Sequence, residues 1–235
     1  MDGLDGIVLP GGESTAMGLI GTSTTKNTNK ATTMWDALKE FSSTKPTWGT
    51  CAGMILLAQQ CVGASAVIEN GQSLIGGVDI LVCRNYFGSQ VSSFEMPTEA
   101  PPGIPNNNNG NGSSTESSSS SSFPGIFIRA PAILSAGPDV TVLGKVVAAP
   151  CKQASVVLKE LEQKIQNGEQ VEQMSIIEIP AVVVTDDGKS TDAREVISAV
   201  RKNQLLCTAF HPELSDDHRW HEYFANMVKD ATMKK

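Results

Sequence analysis

The segment 46–54 (PTWGTCAGM) combines a nucleophilic side chain with the small neighbours that a nucleophile on a tight turn requires. A β-prone run precedes Cys51 and an apolar run of helix formers follows it, so the thiol is predicted at a strand-to-helix turn. Gly49 and Gly53 avoid clashes at this strained position, and the helix N-terminus favours the thiolate. We therefore predict Cys51 as a catalytic nucleophile. A buried, inert cysteine before a core helix is the alternative.

A general base for this thiol is predicted near the C-terminus, where all three histidines lie. His211 follows a predicted strand around 204–210, and Glu213, two residues later, projects to the same side and can orient the imidazole. This is the arrangement of a Cys-His-Glu triad. His218 and His221 lie one helical turn apart, but no third ligand is evident, so an ordinary helix surface is favoured over a metal site.

A glycine pair follows the predicted strand 6–10, before a helix that we expect Ser14 or Thr15 to cap. The backbone N–H groups of Gly11 and Gly12 could hold an anion or a developing oxyanion, although such a pair is more often only a turn.

Two arginines lie at the ends of further predicted strands, Arg84 after 73–82 and Arg129 within 126–131. A planar guanidinium binds a substrate carboxylate well, whereas a lone arginine is usually a solvated surface charge.

The length and composition favour a single domain over residues 1–235, because 40% hydrophobic residues can build one sizeable core. Two insertions are expected in it. The Ser/Asn-rich segment at about 97–122 cannot bury enough apolar surface to order and is predicted to be disordered. The segment at about 152–173 is predicted to be a polar, solvent-facing helical insertion.

The net charge of −7 argues against binding to nucleic acid or to an anionic membrane surface. The sequence has no apolar run of membrane-spanning length and no signal peptide, so a cytoplasmic protein is expected. Its five cysteines are widely spaced without any Cys-x-x-Cys pair, which indicates reduced thiols and no zinc site.

Taken together, five motifs resemble the glutaminase subunit family of pyridoxal 5′-phosphate synthase, which are class I (triad) glutamine amidotransferases. They occur in the family's order, at 10–15 (PGGEST), 49–54 (GTCAGM), 84–90 (RNYFGSQ), 127–131 (FIRAP) and 209–214 (AFHPEL). The resemblance implies a three-layer, doubly wound, mostly parallel α/β sheet of the flavodoxin-like kind.

The resemblance also implies a role for each matching residue. The triad would be Cys51, His211 and Glu213. The glutamine contacts would be Gly12, Glu13, Ser14, Arg84, Ile128 and Arg129. The oxyanion would be held by the amide of Ala52 and by one in the Gly11–Gly12 loop. Ser89 departs from the family, which usually has an arginine there.

The implied reaction is hydrolysis of L-glutamine through a γ-glutamyl thioester, with no cofactor or metal. Ammonia would pass to a separate (β/α)₈ synthase subunit that makes the B6 cofactor. Two alternatives stay open: another Cys-His hydrolase on this fold, such as a peptidase, or an inactive partner-binding or regulatory subunit.

The resemblance finally implies a strand, a helix and another strand before the strand at 6–10. Because this chain starts only five residues before Gly6, we expect a truncated form or an incomplete gene model. Loss of an interior strand exposes backbone groups and apolar surface, so poor solubility and weak activity are expected.

Overall fold

The computed structural model describes residues 3–23, 33–63, 72–88, 93–105, 122–169, 179–184 and 190–233. The strands are β1 Ile7–Leu9, β2 Thr47–Thr50, β3 Ala58–Val62, β4 Val78–Cys83, β5 Phe94–Glu99, β6 Ser122–Phe127, β7 Ala132–Ala136, β8 Thr141–Ala148, β9 Val182–Val184, β10 Ser190–Lys202 and β11 Leu205–Thr208. The α-helices are α1 Ser14–Thr22, α2 Met34–Thr44, α3 Ala52–Leu57, α4 Lys152–Gln166 and α5 Arg219–Met233.

A mixed β-sheet forms the centre of the fold, with the strand order β1-β2-β11-β10-β7-β4-β3 and with β8 and β9 also paired to β10. The strands β1, β2 and β11 run parallel, as do β3 and β4, whereas every pairing of β10 is antiparallel. The strands β5 and β6 form a separate antiparallel ribbon. The predicted α/β class is confirmed, and the strands expected at 6–10 and 204–210 correspond to β1 and β11. The strand expected at 126–131 is placed too late, because β6 ends at Phe127 and shares only 126–127 with it.

Helices cover both faces of the sheet at β2. Side chains alternate along a strand, so Trp48 and Gly49 face opposite sides. A Cβ at Gly49 would lie only 2.5 Å from the carbonyl carbon of Gly53, so α3 packs directly on that face. On the other face, the Trp48 ring lies 5.6 Å from the ring of Phe224 in α5, centroid to centroid. Three layers result at this point.

The ribbon strand β6 is fixed to the start of α5 by a buried ion pair. Arg219 donates to both carboxylate oxygens of Asp217 and, through Nη2, to the carbonyl oxygen of Ser122. The buried ring of Phe123 then packs against Trp220. These contacts hold the strand that leads into 128–129, two of the predicted substrate contacts.

Two local predictions need correction. Helix α1 is capped by Glu13 rather than by Ser14 or Thr15, because the Glu13 carboxylate accepts from the N–H groups of Thr15 and Ala16 at 3.1 and 2.7 Å. The helix predicted within 152–173 exists as α4, but its face with Ala154, Leu158 and Leu161 is buried, so only its opposite side faces solvent.

The low-complexity segment begins and ends on the β5–β6 ribbon. Residues 97–99 belong to β5, and Glu99 pairs with Ser122, the first residue of β6. The predicted disorder over most of 97–122 concerns residues 106–121, which lie outside the described residues. The pairing nevertheless places the two ends of the segment side by side.

Replacing residues 106–121 by a short Gly/Ser loop is expected to leave the free energy of unfolding unchanged or to raise it by about 1 kcal/mol. The reason is that the entropy of loop closure falls only slowly as a loop shortens. Thermal unfolding with denaturant titration measures the effect. As a comparison, Phe123→Ala in the buried part of β6 should cost about 3–5 kcal/mol; a similar loss on shortening the loop would show that 106–121 is docked.

Candidate active site

Cys51 lies at the turn between β2 and α3 in a strained conformation, with φ 48° and ψ −104°. Two backbone hydrogen bonds hold this turn: Cys51 N–H donates to the Thr208 carbonyl at 2.8 Å, and Gly53 N–H donates to the Pro10 carbonyl at 3.1 Å. A Cβ at Gly53 would lie 2.0 Å from the Leu9 carbonyl oxygen, so only glycine fits. The predicted nucleophile elbow is present.

His211 follows β11, and its backbone N–H donates to the Ile126 carbonyl at 2.8 Å. Its Nδ1 lies 2.7 Å from Oε1 of Glu213, which belongs to a 3₁₀ turn at Pro212–Leu214. On the other side, a Cβ at Gly11 would lie 2.4 Å from Cε1 of the imidazole. The ring is therefore held between the glycine loop and the acidic residue, as the sequence spacing predicts.

The hydrogen bonds to Cys51 and to Glu213, in that order of size, raise the pKa of His211 from its ordinary value to about 10. Burial acts to raise the pKa of Glu213, but the hydrogen bond with His211 and its positive charge outweigh burial and lower it. The protonated imidazole is thereby favoured, so His211 holds a proton that it can donate.

A cavity of about 160 Å³ opens beside the thiol. A dry cavity of about 150 Å³ holds one benzene molecule, so this volume suits one small metabolite. Its walls contain the predicted nucleophile, the imidazole and every residue predicted to contact substrate: Gly12, Glu13, Ser14, Cys51, Ala52, Ile55, Arg84, Asn85, Ile128, Arg129, Pro131 and His211. Glu213 stands behind His211.

Arg84 is buried, and its guanidinium is only partly satisfied. Nη2 donates to Oγ1 of Thr15 at 3.1 Å and lies 3.5 Å from Oε1 of Glu13. Nη1 is buried without a hydrogen-bond partner among the described residues. Since an unpaired buried donor on a cation is unfavourable, the site is set up to receive an anionic ligand group.

The residues that follow β6, Ile128 and Arg129, form another part of the wall. The carbonyl oxygen of Ile128 lies 4.0 Å from Sγ of Cys51. Arg129, the next residue, has a positive φ of 45°, as does Asn85 with 51°. Non-glycine residues in this region often mark functional sites.

Several residues of the site were not predicted from sequence. Gln72 accepts from Oγ of Ser14 at 3.1 Å and donates to the Ser14 carbonyl at 2.9 Å, which fixes the first turn of α1. The sequence indicates Thr15 only as a cap, yet its Oγ1 accepts a hydrogen bond from Nη2 of Arg84 and orients the guanidinium. These links join residues 58 and 69 positions apart, so no local pattern could reveal them; Asn85 lay next to Arg84 within a matched motif.

The remaining histidines lie away from the cavity. The ring centroids of His218 and His221 are 5.8 Å apart, and His221 packs edge-on against Trp48. In the described part of the chain no three His, Cys, Asp or Glu side chains group to hold a metal ion. Nor does any described helix have the length and apolar character needed to cross a membrane. Ser89 lies outside the described residues.

Comparison with known proteins extends over nearly the whole chain. Residues 1–179 match the SNO glutamine amidotransferase family. The probable pyridoxal 5′-phosphate synthase subunit PDX2 of Arabidopsis thaliana is 36% identical over 95% of this chain and 71% of its own length. The pyridoxal 5′-phosphate synthase subunit PdxT of Geobacillus kaustophilus is 34% identical over 99% of this chain and 80% of its own length. A crystal structure of a glutamine amidotransferase is similar with a TM-score of 0.58 and 26% identity, covering 97% of this chain and 81% of that one.

Removing the sulfur is expected to lower the pKa of His211, because the hydrogen bond to Cys51 is the largest cause of its rise. In the parent protein the imidazole should keep its proton until the pH approaches about 10. In Cys51→Ala it should lose the proton at lower pH. An NMR titration of the imidazole Cε1–H signal measures both, with Cys61→Ala as the control. Identical titration curves for Cys51→Ala and the parent would contradict this assignment.

Proposed function

The chain belongs to the SNO glutamine amidotransferase family, and on that premise we propose that it hydrolyses L-glutamine and supplies the ammonia to a pyridoxal 5′-phosphate synthase subunit. The observation that carries the proposal is the Cys51–His211–Glu213 triad, opening on a cavity that also contains an unsatisfied guanidinium. Relatives covering nearly the whole chain are named as subunits of that synthase.

Glutamine would bind with its α-carboxylate on Arg84 and Arg129 and its side-chain amide at Cys51. Nη1 of Arg84 lacks a protein partner among the described residues, and a carboxylate oxygen would satisfy it. The carboxylate of Glu13 suits the α-ammonium group. Burial acts to raise the pKa of Glu13, but the N–H groups of Ala16 and Thr15 outweigh it and keep the pKa below its ordinary value.

In the first half-reaction the Cys51 thiolate attacks the amide carbonyl carbon, and the oxygen takes up the negative charge. The elbow offers the Ala52 N–H to this oxyanion, since the next N–H, of Gly53, is already donated to Pro10. The Gly11–Gly12 loop, which lies against the His211 ring, would supply a second donor. His211 gives its proton to the departing nitrogen, the C–N bond breaks, and ammonia and a γ-glutamyl thioester result.

In the second half-reaction His211, now neutral, takes a proton from water. The hydroxyl oxygen attacks the thioester carbonyl, the C–S bond breaks and glutamate leaves. Glu213 keeps Nε2 of His211 facing the thiol side because it binds Nδ1. Every step uses side chains of this chain, its backbone amides and water.

The alternative of a Cys-His peptidase fits this cavity less well. A peptide substrate would extend beyond a space of about 160 Å³, and two arginines in the wall suit a free carboxylate better than an internal peptide bond.

The proposal further includes one catalytic domain over 1–235, a (β/α)₈ synthase partner and a cytoplasmic location, in keeping with the sequence pattern.

Cys51→Ala is expected to abolish release of glutamate from glutamine, because a methyl group fits the elbow and only the nucleophile is lost. His211→Asn should be equally damaging, whereas Glu213→Gln should retain more activity, since it orients the base without transferring a proton. A coupled glutamate assay measures all three, with Cys61→Ala as the matched control. Hydrolysis by purified Cys51→Ala would refute the mechanism, and none by the parent would support the inactive-subunit alternative.

Arg84→Lys is expected to raise KM for glutamine by about tenfold to hundredfold, with a smaller effect on kcat, because lysine keeps the charge but loses the planar fork. With the α-amide of glutamine, which has no α-carboxylate, parent and variant should have similar KM values. Steady-state kinetics on both substrates tests this. An unchanged KM for glutamine would place the carboxylate elsewhere.

A further inference from the structure

Helix α1 turns small residues inward and large apolar residues outward. Its buried positions are Ser14, Thr15, Gly18 and Gly21. Leu19 and Ile20, in contrast, are 64% and 62% exposed. A surface helix that meets only water has the reverse pattern. The sequence of α1, STAMGLIGT, also contains no charged residue, so its outer face is an uncharged apolar surface.

Close contacts on the inner face of α1 prevent the helix from rotating about its axis. A Cβ at Gly21 would lie 1.7 Å from Cε3 of Trp35 in α2, so α1 and α2 touch through a glycine. At Gly18 the contact is looser but still tight, since a Cβ there would lie 3.1 Å from Nε2 of Gln72. Rotating α1 to bury Leu19 and Ile20 would force bulky side chains into these contacts. The exposed face is therefore a fixed feature of the fold.

The same helix begins in the active site. Ser14 lines the cavity, and Thr15 holds Arg84 in place. With a rise of about 1.5 Å per residue, Leu19 lies only about 7–8 Å further along the axis than Ser14. A protein seated on the outer face of α1 would thus border the cavity in which ammonia is released.

We propose that the outer face of α1, formed by Ala16, Leu19 and Ile20, is the docking surface for the synthase subunit that accepts the ammonia. The proposal rests on the proposed function. Ammonia that escapes into water at neutral pH is protonated and is no longer a nucleophile, so its acceptor must cover the exit of the cavity. Because the face is apolar and uncharged, the partner is expected to offer an apolar surface, such as one side of a helix.

The test uses the double variant Leu19→Glu/Ile20→Glu, since glutamate is a good helix former and both positions are exposed. The matched control is Val156→Glu on α4, where the side chain is 56% exposed. Sedimentation velocity and calorimetry measure binding to the synthase subunit of the same organism. Glutamate release by the isolated chain is measured in parallel, and circular dichroism verifies folding.

The double variant is expected to weaken synthase binding at least about thirtyfold, with glutamate release by the isolated chain within about twofold of the parent. Val156→Glu should change neither. Unchanged binding by the double variant, or a parent chain that does not bind the synthase, would overturn the docking surface. A parent dimer that the double variant dissociates would assign the face to self-association instead. A parent that binds the synthase but never releases glutamate would refute the proposed function and leave the docking surface standing.

Discussion

The strained backbone at Cys51 is the constraint on which the rest of the structure depends. A non-glycine residue at positive φ costs about 1–3 kcal/mol and persists only where its surroundings enforce it. Here the enforcement comes from two strands: the Thr208 carbonyl of β11 and the Pro10 carbonyl after β1 accept the N–H groups of Cys51 and Gly53. Parallel pairing aligns Leu9, Gly49 and Cys207 in one row. The glycine loop, the thiol and the imidazole therefore all lie just beyond the carboxyl ends of these neighbouring parallel strands.

The electrostatics of the site follow from this row. His211 lies between Cys51 and Glu213, and its hydrogen bonds to these two residues raise its pKa and favour the protonated imidazole. Arg84 is different, since it is buried with Thr15 and Glu13 beside Nη2, whereas Nη1 has no hydrogen-bond partner among the described residues. A buried cation without full compensation destabilises the free protein, and an anion that completes it gains the corresponding free energy on binding. The incompletely paired Arg84 thus lowers the stability of the free protein and favours binding of an anion.

The sequence was sufficient to predict the elbow at Cys51 and the contact of His211 with Glu213, because the signals for both are local. The glycines around Cys51 and the two-residue spacing from His211 to Glu213 depend on turn sterics and side-chain alternation, which a short segment contains. The contacts of Thr15 with Arg84 and of Ser14 with Gln72 join distant parts of the chain, so only the three-dimensional structure shows them. The antiparallel strand β10 likewise arises from tertiary pairing that apolar runs do not encode.

Helix α1 packs against its neighbours with one face and presents apolar side chains to the outside with the other. The sequence pattern alone does not show which residues lie on which face. Its apolar residues suggest an ordinary core helix, yet its close packing uses Gly18 and Gly21, while Leu19 and Ile20 remain outside. The helix does not need these two side chains for stability, because the Glu13 cap and the glycine contacts already hold it. Exposed apolar side chains instead reduce solubility. Beside a cavity they become favourable only when the surface of another molecule covers them and removes them from water.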